Sequence, residues 1–394
     1  MSTDKEQLSE PMNRTLEIEL IDELIALKSA RGLFLEEDIG HAPVERYASD
    51  DQFDTELELV FRRRPHLAAH VSELAKPGDF LRVDLAGRPV LVTRGKDGVA
   101  RAFLNVCRHR GAQLVGENAG CQNRFTCPYH AWTYASSGEL ISAPHFASGF
   151  PDADKTQFGL TAMPTYEALG FVWVVPSPDS SLGAPFDFKN YFAPIAAEVS
   201  ELDLADHVQV ANDRISVAAN WKIIVEGGIE AYHFKIAHRD TIAPFFEDNL
   251  SSFRSLGAHM RSIIPRVSLA RLGDSPRDGW RLRDHANTLY SLFPTAQFLV
   301  QQDHVVLIVA NPLAADHTEL RIATLVPKSE AGDSELWMRN HAITRTTLDE
   351  DFALGESIQR GLTSGANAKL TFGRFEGALT AFNQSVADTI AAVS

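Results

Sequence analysis

The chain has 394 residues, of which 44% are hydrophobic and 23% charged, a composition that fits a folded protein with room for two cores. Its formal charge of −15, from 37 basic and 52 acidic residues, argues against general affinity for nucleic acid or an anionic membrane. No stretch approaches the roughly 18 uncharged apolar residues of a membrane span, residues 1–12 lack the apolar core of a leader peptide, and three cysteines are too few for a disulfide framework, so a cytoplasmic location is expected.

In chain order, Leu16, Ile18, Ile21, Leu24, Ile25 and Ala26 recur at helical spacing, and Gly32 stands where a helix C-terminus favours it. The reading is an amphipathic helix within an N-terminal arm, residues 1–45, packed on a core. From 46 to 176 the pattern changes to short strands, at 80–85, 89–93 and 102–106, punctuated by Ala86-Gly87 and Asp97-Gly98 and closed by a buried strand at 170–175. A small antiparallel β domain fits this stretch. Arg62-Arg63-Arg64 is read either as a solvated basic face or as a docking point for an acidic protein.

Within that domain, Cys107-Arg108-His109 is followed after seventeen residues by Cys127-Pro128-Tyr129-His130. Each arm offers one thiolate and one imidazole. A Cys2His2 zinc site uses these ligands. So does a [2Fe–2S] cluster of the Rieske kind, in which one iron takes two cysteines and the other two histidines. Zinc fingers usually separate the cysteine arm from the histidine arm, which favours the cluster. Cys121 fits neither arm and is read as a free thiol.

Residues 176–181 concentrate Pro, Ser and Asp and mark a linker. The remainder, 177–394, mixes helical segments near 191–200, 221–236 and 347–362 with strand-like runs at 290–300, 305–310 and 320–326. That is an α+β pattern with clustered strands. It also carries Glu226-Gly-Gly-Ile-Glu230-Ala-Tyr-His233-Phe-Lys-Ile-Ala-His238, two histidines and two carboxylates within thirteen residues. Non-haem Fe(II) oxygenases bind iron through two histidines and one carboxylate and leave other positions open. Residues five apart on a regular helix lie about 140° out of line, so the helix must end, bend or carry a π-bulge if His233 and His238 share an ion.

Taken together, the Cys-x-His and Cys-x₂-His arms, Asn220-Trp221-Lys222 and the Tyr232-His233-x₄-His238 segment resemble the terminal-oxygenase α subunits of the Rieske non-haem iron oxygenases. The likeness extends to residues 105–111 and Ala143-Pro144-His145 and covers roughly residues 45 to 390. It implies a small antiparallel β Rieske domain joined to a helix-grip-like catalytic domain, with an antiparallel sheet and helices around a mononuclear Fe(II). It further implies that Cys107 and Cys127 ligate one cluster iron, His109 and His130 the other, and His233 and His238 the catalytic iron. The third iron ligand would be Asp351, with Asp349, Glu350 and Glu356 as competitors. Without the resemblance, that acidic run reads as an ordinary helix start.

The family's bridging carboxylate between a cluster histidine and an iron-ligand histidine, often across a subunit boundary, falls on Glu230. Glu departs from the usual Asp by one methylene, about 1.5 Å of reach, and is similar in this to the carnitine and related quaternary-ammonium oxygenases. Glu226 competes for that role or is structural. Asn220 is read as lying near the iron, or as a buried amide capping local backbone. The implied activity is O₂-dependent hydroxylation or demethylation of a small organic substrate. Monooxygenation is favoured over ring cis-dihydroxylation, and a non-catalytic electron-transfer or zinc protein is the contrasting class. A separate NAD(P)H-dependent reductase or ferredoxin is implied, since no G-x-G-x-x-G follows a strand, and a homotrimer or multiple of three is expected. A quaternary cation would want an aromatic cage. With 23 Phe against 7 Tyr and 5 Trp, an apolar pocket for an aromatic or alicyclic substrate fits as well, with 286–298 and 245–253 as candidate linings.

Overall fold

A computed structural model describes residues 14–274 and 276–393; residues 1–12, read above as lacking a leader, lie outside them. The chain divides into two compact units, one of residues 61–188 and one formed by residues up to 60 together with 189 onward. Among the described residues no helix is long and apolar enough to cross a membrane.

The unit of residues 61–188 is antiparallel β. Its five-stranded sheet runs Ala162–Met163, Ala100–Leu104, Arg88–Arg94, Asp79–Leu85 and Ala119–Cys121, and two three-stranded sheets accompany it. Ala86 and Gly87 both take positive φ, 51° and 71°. Leu85 pairs with Arg88 across them, the two-residue turn whose twist suits a hairpin. The strand expected at 102–106 is Ala100–Leu104, and it ends at Asn105, whose N–H still bonds Pro89 O at 2.8 Å while its side chain serves the following loop. Its buried amide donates to Val115 O at 2.8 Å, and its oxygen accepts from Leu114 N and Val115 N at 3.2 and 3.1 Å, which braces the loop carrying the first cysteine arm.

The larger unit is built on a seven-stranded antiparallel sheet. Strands from Ser252–Leu256 to His317–Pro327 form a meander, and His207–Val217 pairs with the last of them. Over the sheet pack the helices Trp221–Ile229 and Ser334–Leu362, sharing a core of Val217, Ile224, Ile308, Ile322 and Phe352. The longer helix buries Trp337, His341, Thr344, Phe352, Gly355, Gln359 and Leu362, a three-four spacing that gives it one inward stripe. It begins thirteen residues before the expected 347, where Asp333 accepts from Leu336 N at 3.0 Å as N-cap.

The N-terminal helix Arg14–Ser29 buries Leu20, Ile21 and Leu24 against Ile263, Leu269, Trp280 and Leu282 of this unit. Its end differs from expectation. Arg31, not Gly32, is the left-handed residue (φ 48°), while Gly32 N bonds Leu27 O at 2.9 Å and Arg31 N bonds Lys28 O at 3.1 Å, a Schellman closure with an arginine at its strained position.

Candidate metal centres and active-site cavity

The helix expected over 221–236 stops at Ile229, and Glu230 is extended at φ −127° and ψ 161°. A one-turn helix, Phe234–Ala237, then follows, with His233 and His238 as its two caps. That break removes the angular conflict between histidines five apart. Their rings come within 5.1 Å, centroid to centroid. Across from them the long helix presents Asp351, whose Oδ1 lies 3.0 Å from His238 Nε2 and 3.4 Å from His233 Nε2. The donor atoms of the three residues lie within 4.8 Å of one another, and His233 Nε2 is buried without a hydrogen bond of proper geometry. Two imidazoles and a carboxylate converging in this way fit a divalent transition metal.

The remaining ring nitrogens are held by a second layer of carboxylates. His233 Nδ1 bonds Glu230 Oε1, and His238 Nδ1 bonds Glu350 Oε2 at 2.7 Å. Glu350 also accepts from Thr241 Oγ1 at 2.7 Å, and Glu230 accepts from the backbone N–H groups of Tyr232 and His233. Such partners fix the tautomer and aim the opposite nitrogen at the metal. Burial disfavours the His233 cation, but the hydrogen bonds and charges of Asp351 and Glu230 outweigh it and push its pKa up to about 10. Burial likewise opposes charge on Asp351, and the two histidines overcome it to hold the carboxyl below its ordinary range. The metal-free trio therefore favours an added proton, which a bound cation would replace.

The other sequence candidates lie elsewhere. Asn220 is the N-cap: its oxygen accepts from Lys222 N at 3.0 Å and its amide donates to Ala315 O at 2.7 Å, so of its two readings the structure has the capping one. Glu226 is buried, accepting from Tyr47 Oη at 2.6 Å and Asn383 Nδ2 at 2.7 Å. Asp349 pairs with Arg345, and Glu356 accepts from Ala218 N.

A cavity of about 320 Å³ opens beside His238 and Asp351. A smaller one of about 140 Å³ lies on the side of His233 and Glu230 and shares Gly227, Gly228, Gln297, Ile308, Leu348 and Asp351 with the first. Of the stretches expected to line a pocket, Phe246, Asn287, Leu289 and Gln297 do so, whereas Phe245 is exposed.

In the other unit the two cysteine arms share one backbone pattern. Cys107 N bonds Ala112 O and Cys127 N bonds Trp132 O, both at 2.8 Å; Gly111 N and Ala131 N return to the cysteine carbonyls, both at 3.0 Å. Gly111 and Ala131 are left-handed, at φ 80° and 55°. Both cysteines are buried. The rings of His109 and His130 are 4.7 Å apart, each with its Nδ1 buried and unpartnered. Buried imidazole nitrogens without partners are costly unless a ligand takes them, and two of them beside two buried thiols fit a cluster. Trp132 stacks on His109 at 4.9 Å. Sequence reading missed Tyr134, whose Oη lies 3.4 Å from Cys107 Sγ and accepts from Arg108 N at 3.0 Å.

Comparison with known proteins matches one family description to each part of the chain. The family description "Rieske [2Fe-2S] domain" matches residues 64–167, and "Ring hydroxylating alpha subunit (catalytic domain)" matches 204–392. The chain is 34% identical over 332 residues to the carnitine monooxygenase oxygenase subunit of Escherichia coli (strain K12), covering 82% of this chain and 84% of that one. It is 25% identical over 362 residues to the glycine betaine monooxygenase oxygenase subunit of Pseudomonas aeruginosa (strain UCBPP-PA14), covering 82% of each. An inhibitor-bound crystal structure of a quaternary ammonium Rieske monooxygenase superposes with a TM-score of 0.76 at 26% identity, over 89% of this chain and 96% of that one. Naphthalene 1,2-dioxygenase from Rhodococcus sp. shares the fold, with a TM-score of 0.74 at 19% identity, over 96% of this chain and 98% of that one. A Rieske domain answers the zinc alternative, a matched catalytic domain answers the electron-carrier alternative, and the chain belongs to the Rieske non-haem iron oxygenases as a terminal oxygenase subunit.

Proposed function

We propose that this oxygenase is a monooxygenase in which His233, His238 and Asp351 hold Fe(II), while Cys107, Cys127, His109 and His130 hold the cluster. It works in the cytoplasm as a homotrimer or a multiple of three, supplied by a separate NAD(P)H-dependent reductase or ferredoxin. The observation that carries the reading is the convergence of His233 Nε2, His238 Nε2 and Asp351 Oδ1, with His238 and Asp351 in the wall of a cavity of about 320 Å³. When bound, the iron supplies open positions for O₂ chemistry and the cluster supplies an electron. Glu230 and Glu350 keep the two imidazoles turned toward the metal, and the cavity positions the substrate. Glu230 is also the group we assign as bridge to a cluster histidine, and oligomerisation agrees with a related structure described as revealing inter-subunit electron transfer.

Monooxygenation is supported by the carnitine and glycine betaine monooxygenase relatives. The substrate itself need not be a quaternary cation. Among the described residues lining the cavity, the aromatic ones are Phe234 and Phe246, with no Tyr or Trp, and the Arg266 guanidinium already lies 6.0 Å from the Phe246 ring centroid. A cage for a bare cation needs more aromatic faces than that. An apolar reacting group, aromatic or alicyclic, suits the lining better.

The test is metal and acid-labile sulfide analysis of anaerobically purified protein, wild type beside His233→Ala. About three irons and two sulfides per chain are expected for the wild type. His233→Ala should keep the cluster spectrum, lose one iron and form no product, and a fully active His233→Ala enzyme would overturn the assignment. Glu230→Ala should hold both metals yet oxidise its cluster without forming product.

A further inference from the structure

We propose that Arg266 binds an anionic head group of the substrate, so that the oxygenase acts on small carboxylates whose apolar end faces His238 and Asp351. The inference rests on the reading of the 320 Å³ cavity as the substrate site and adds to it the chemistry of the far end.

The cavity changes character along its length. His238 contacts the Phe234 ring at 5.3 Å, Phe234 contacts Phe246 at 5.6 Å, and Phe246 lies under Arg266 at 6.0 Å. Two aromatic rings thus separate the iron residues from a guanidinium in the cavity wall. Ile264, Leu289 and Ile308 continue the apolar lining. A substrate lying along this wall has its reacting carbon in apolar surroundings and its other end against the N–H donors of a guanidinium.

Arg266 is only half buried, and one donor, Nη2, is used on Asn287 Oδ1 at 2.7 Å. Burial lowers its pKa, and Asp303 and Asp284 oppose that through their charge alone, without a hydrogen bond. Asp303, the carboxylate that shares this end of the cavity, is turned onto His304 Nδ1 at 2.6 Å, with its side chain 54% exposed. Solvent screens a charge so placed. A half-buried guanidinium facing a largely apolar cavity gains from an acceptor there, and its planar fork matches a carboxylate in geometry and charge.

The test is calorimetric titration of the metal-loaded enzyme with 3-phenylpropionate and cyclohexanecarboxylate, each beside its primary amide. The wild type should bind each acid on the order of 10- to 100-fold more tightly than its amide. Arg266→Gln should bring that ratio to about one, leaving iron and sulfide content and amide affinity unchanged, and Arg266→Lys should restore part of it. An acid preference that survives in Arg266→Gln, or is absent from the wild type while both series bind, overturns the Arg266 assignment and leaves the cavity reading standing. If neither acids nor amides bind the wild type, the cavity reading falls and the anion site with it.

Discussion

Glu350 Oε2 lies 2.7 Å from His238 Nδ1, on the far side of a ring whose Nε2 faces Asp351. Two adjacent acids of one helix thus grip one histidine from opposite edges. The expected roles differ: Asp351 supplies a donor to the metal, whereas Glu350 fixes the tautomer of a donor. Asp351→Asn should abolish iron retention at the mononuclear site. Glu350→Ala should keep the site but weaken iron binding roughly 10- to 100-fold, the usual cost of losing such a partner. Iron content after equilibration against graded chelator separates the two, and equal retention in both variants would remove the distinction.

Gly227 and Gly228 both line the two cavities, yet a methyl group meets different surroundings at each. At Gly228 an added Cβ would come within 2.9 Å of Gln297 Oε1 and 3.0 Å of its Nε2, while at Gly227 nothing lies within 4 Å. Gln297 is buried and donates to Val225 O at 3.1 Å, so it gives way at a cost. Gly227→Ala should stabilise the helix by about 0.5–1 kcal/mol and lower kcat/KM for the bulkier substrates. Gly228→Ala should gain no stability. Thermal unfolding of the two variants reads the difference directly.

Tyr134 places a hydroxyl 3.4 Å from Cys107 Sγ, and hydrogen bonds to cluster sulfurs raise reduction potential by stabilising the more negative, reduced state. Removing a bond worth about 1 kcal/mol corresponds to a shift on the order of 40 mV for one electron, at 59 mV per tenfold. Tyr134→Phe should therefore lower the cluster potential by tens of millivolts, with product formation slowed while both metals stay bound. An unchanged potential in spectroelectrochemical titration would show that the hydroxyl serves Arg108 N alone.

The ligand-rich motifs were legible because metal chemistry tolerates few residue types: Cys107, His109, Cys127 and His130 announce a centre by identity and spacing, as do His233 and His238. Hairpins were legible for the same kind of reason, since Ala86-Gly87 must supply two positive φ angles. What could not be read was facing. Asp349, Glu350, Asp351 and Glu356 look alike on one helix, and only its packing turns Asp349 to Arg345, Glu356 to Ala218 and the middle pair to His238. The start of that helix was missed because residues 334–346 are polar enough to pass for a loop, although Asp333 was an available cap. Arg266 carried no signal at all. Its meaning comes from a cavity assembled by strands and helices far apart in sequence.

Glu226 provides a prediction about stability that is separate from catalysis. It is buried among Tyr47, Asn383 and Lys222, with Glu376 acting on it through its charge, and Lys222 is itself bound to Glu56 at 2.7 Å. Desolvation dominates, exceeding the help of the Tyr47 and Asn383 hydrogen bonds and of the Lys222 charge, and carries the Glu226 pKa from 4.5 to about 7. The folded chain therefore keeps this proton up to about pH 7, whereas the unfolded chain releases it near the ordinary carboxylate value. Between those limits the folded state binds more protons, so stability is fully present below the unfolded pKa and falls as pH rises through the folded one. The loss from this one group is about 3–4 kcal/mol at most, from roughly 1.4 kcal/mol per pKa unit. Glu226→Gln keeps an acceptor oxygen for Tyr47 and Asn383 but carries no titrating proton. Its stability relative to wild type should rise by up to that amount between pH 5 and pH 8, measured as the difference in unfolding midpoints of the two metal-loaded enzymes. Parallel curves across the range would mean that Glu226 is ionised throughout and that Lys222 neutralises it despite its bond to Glu56.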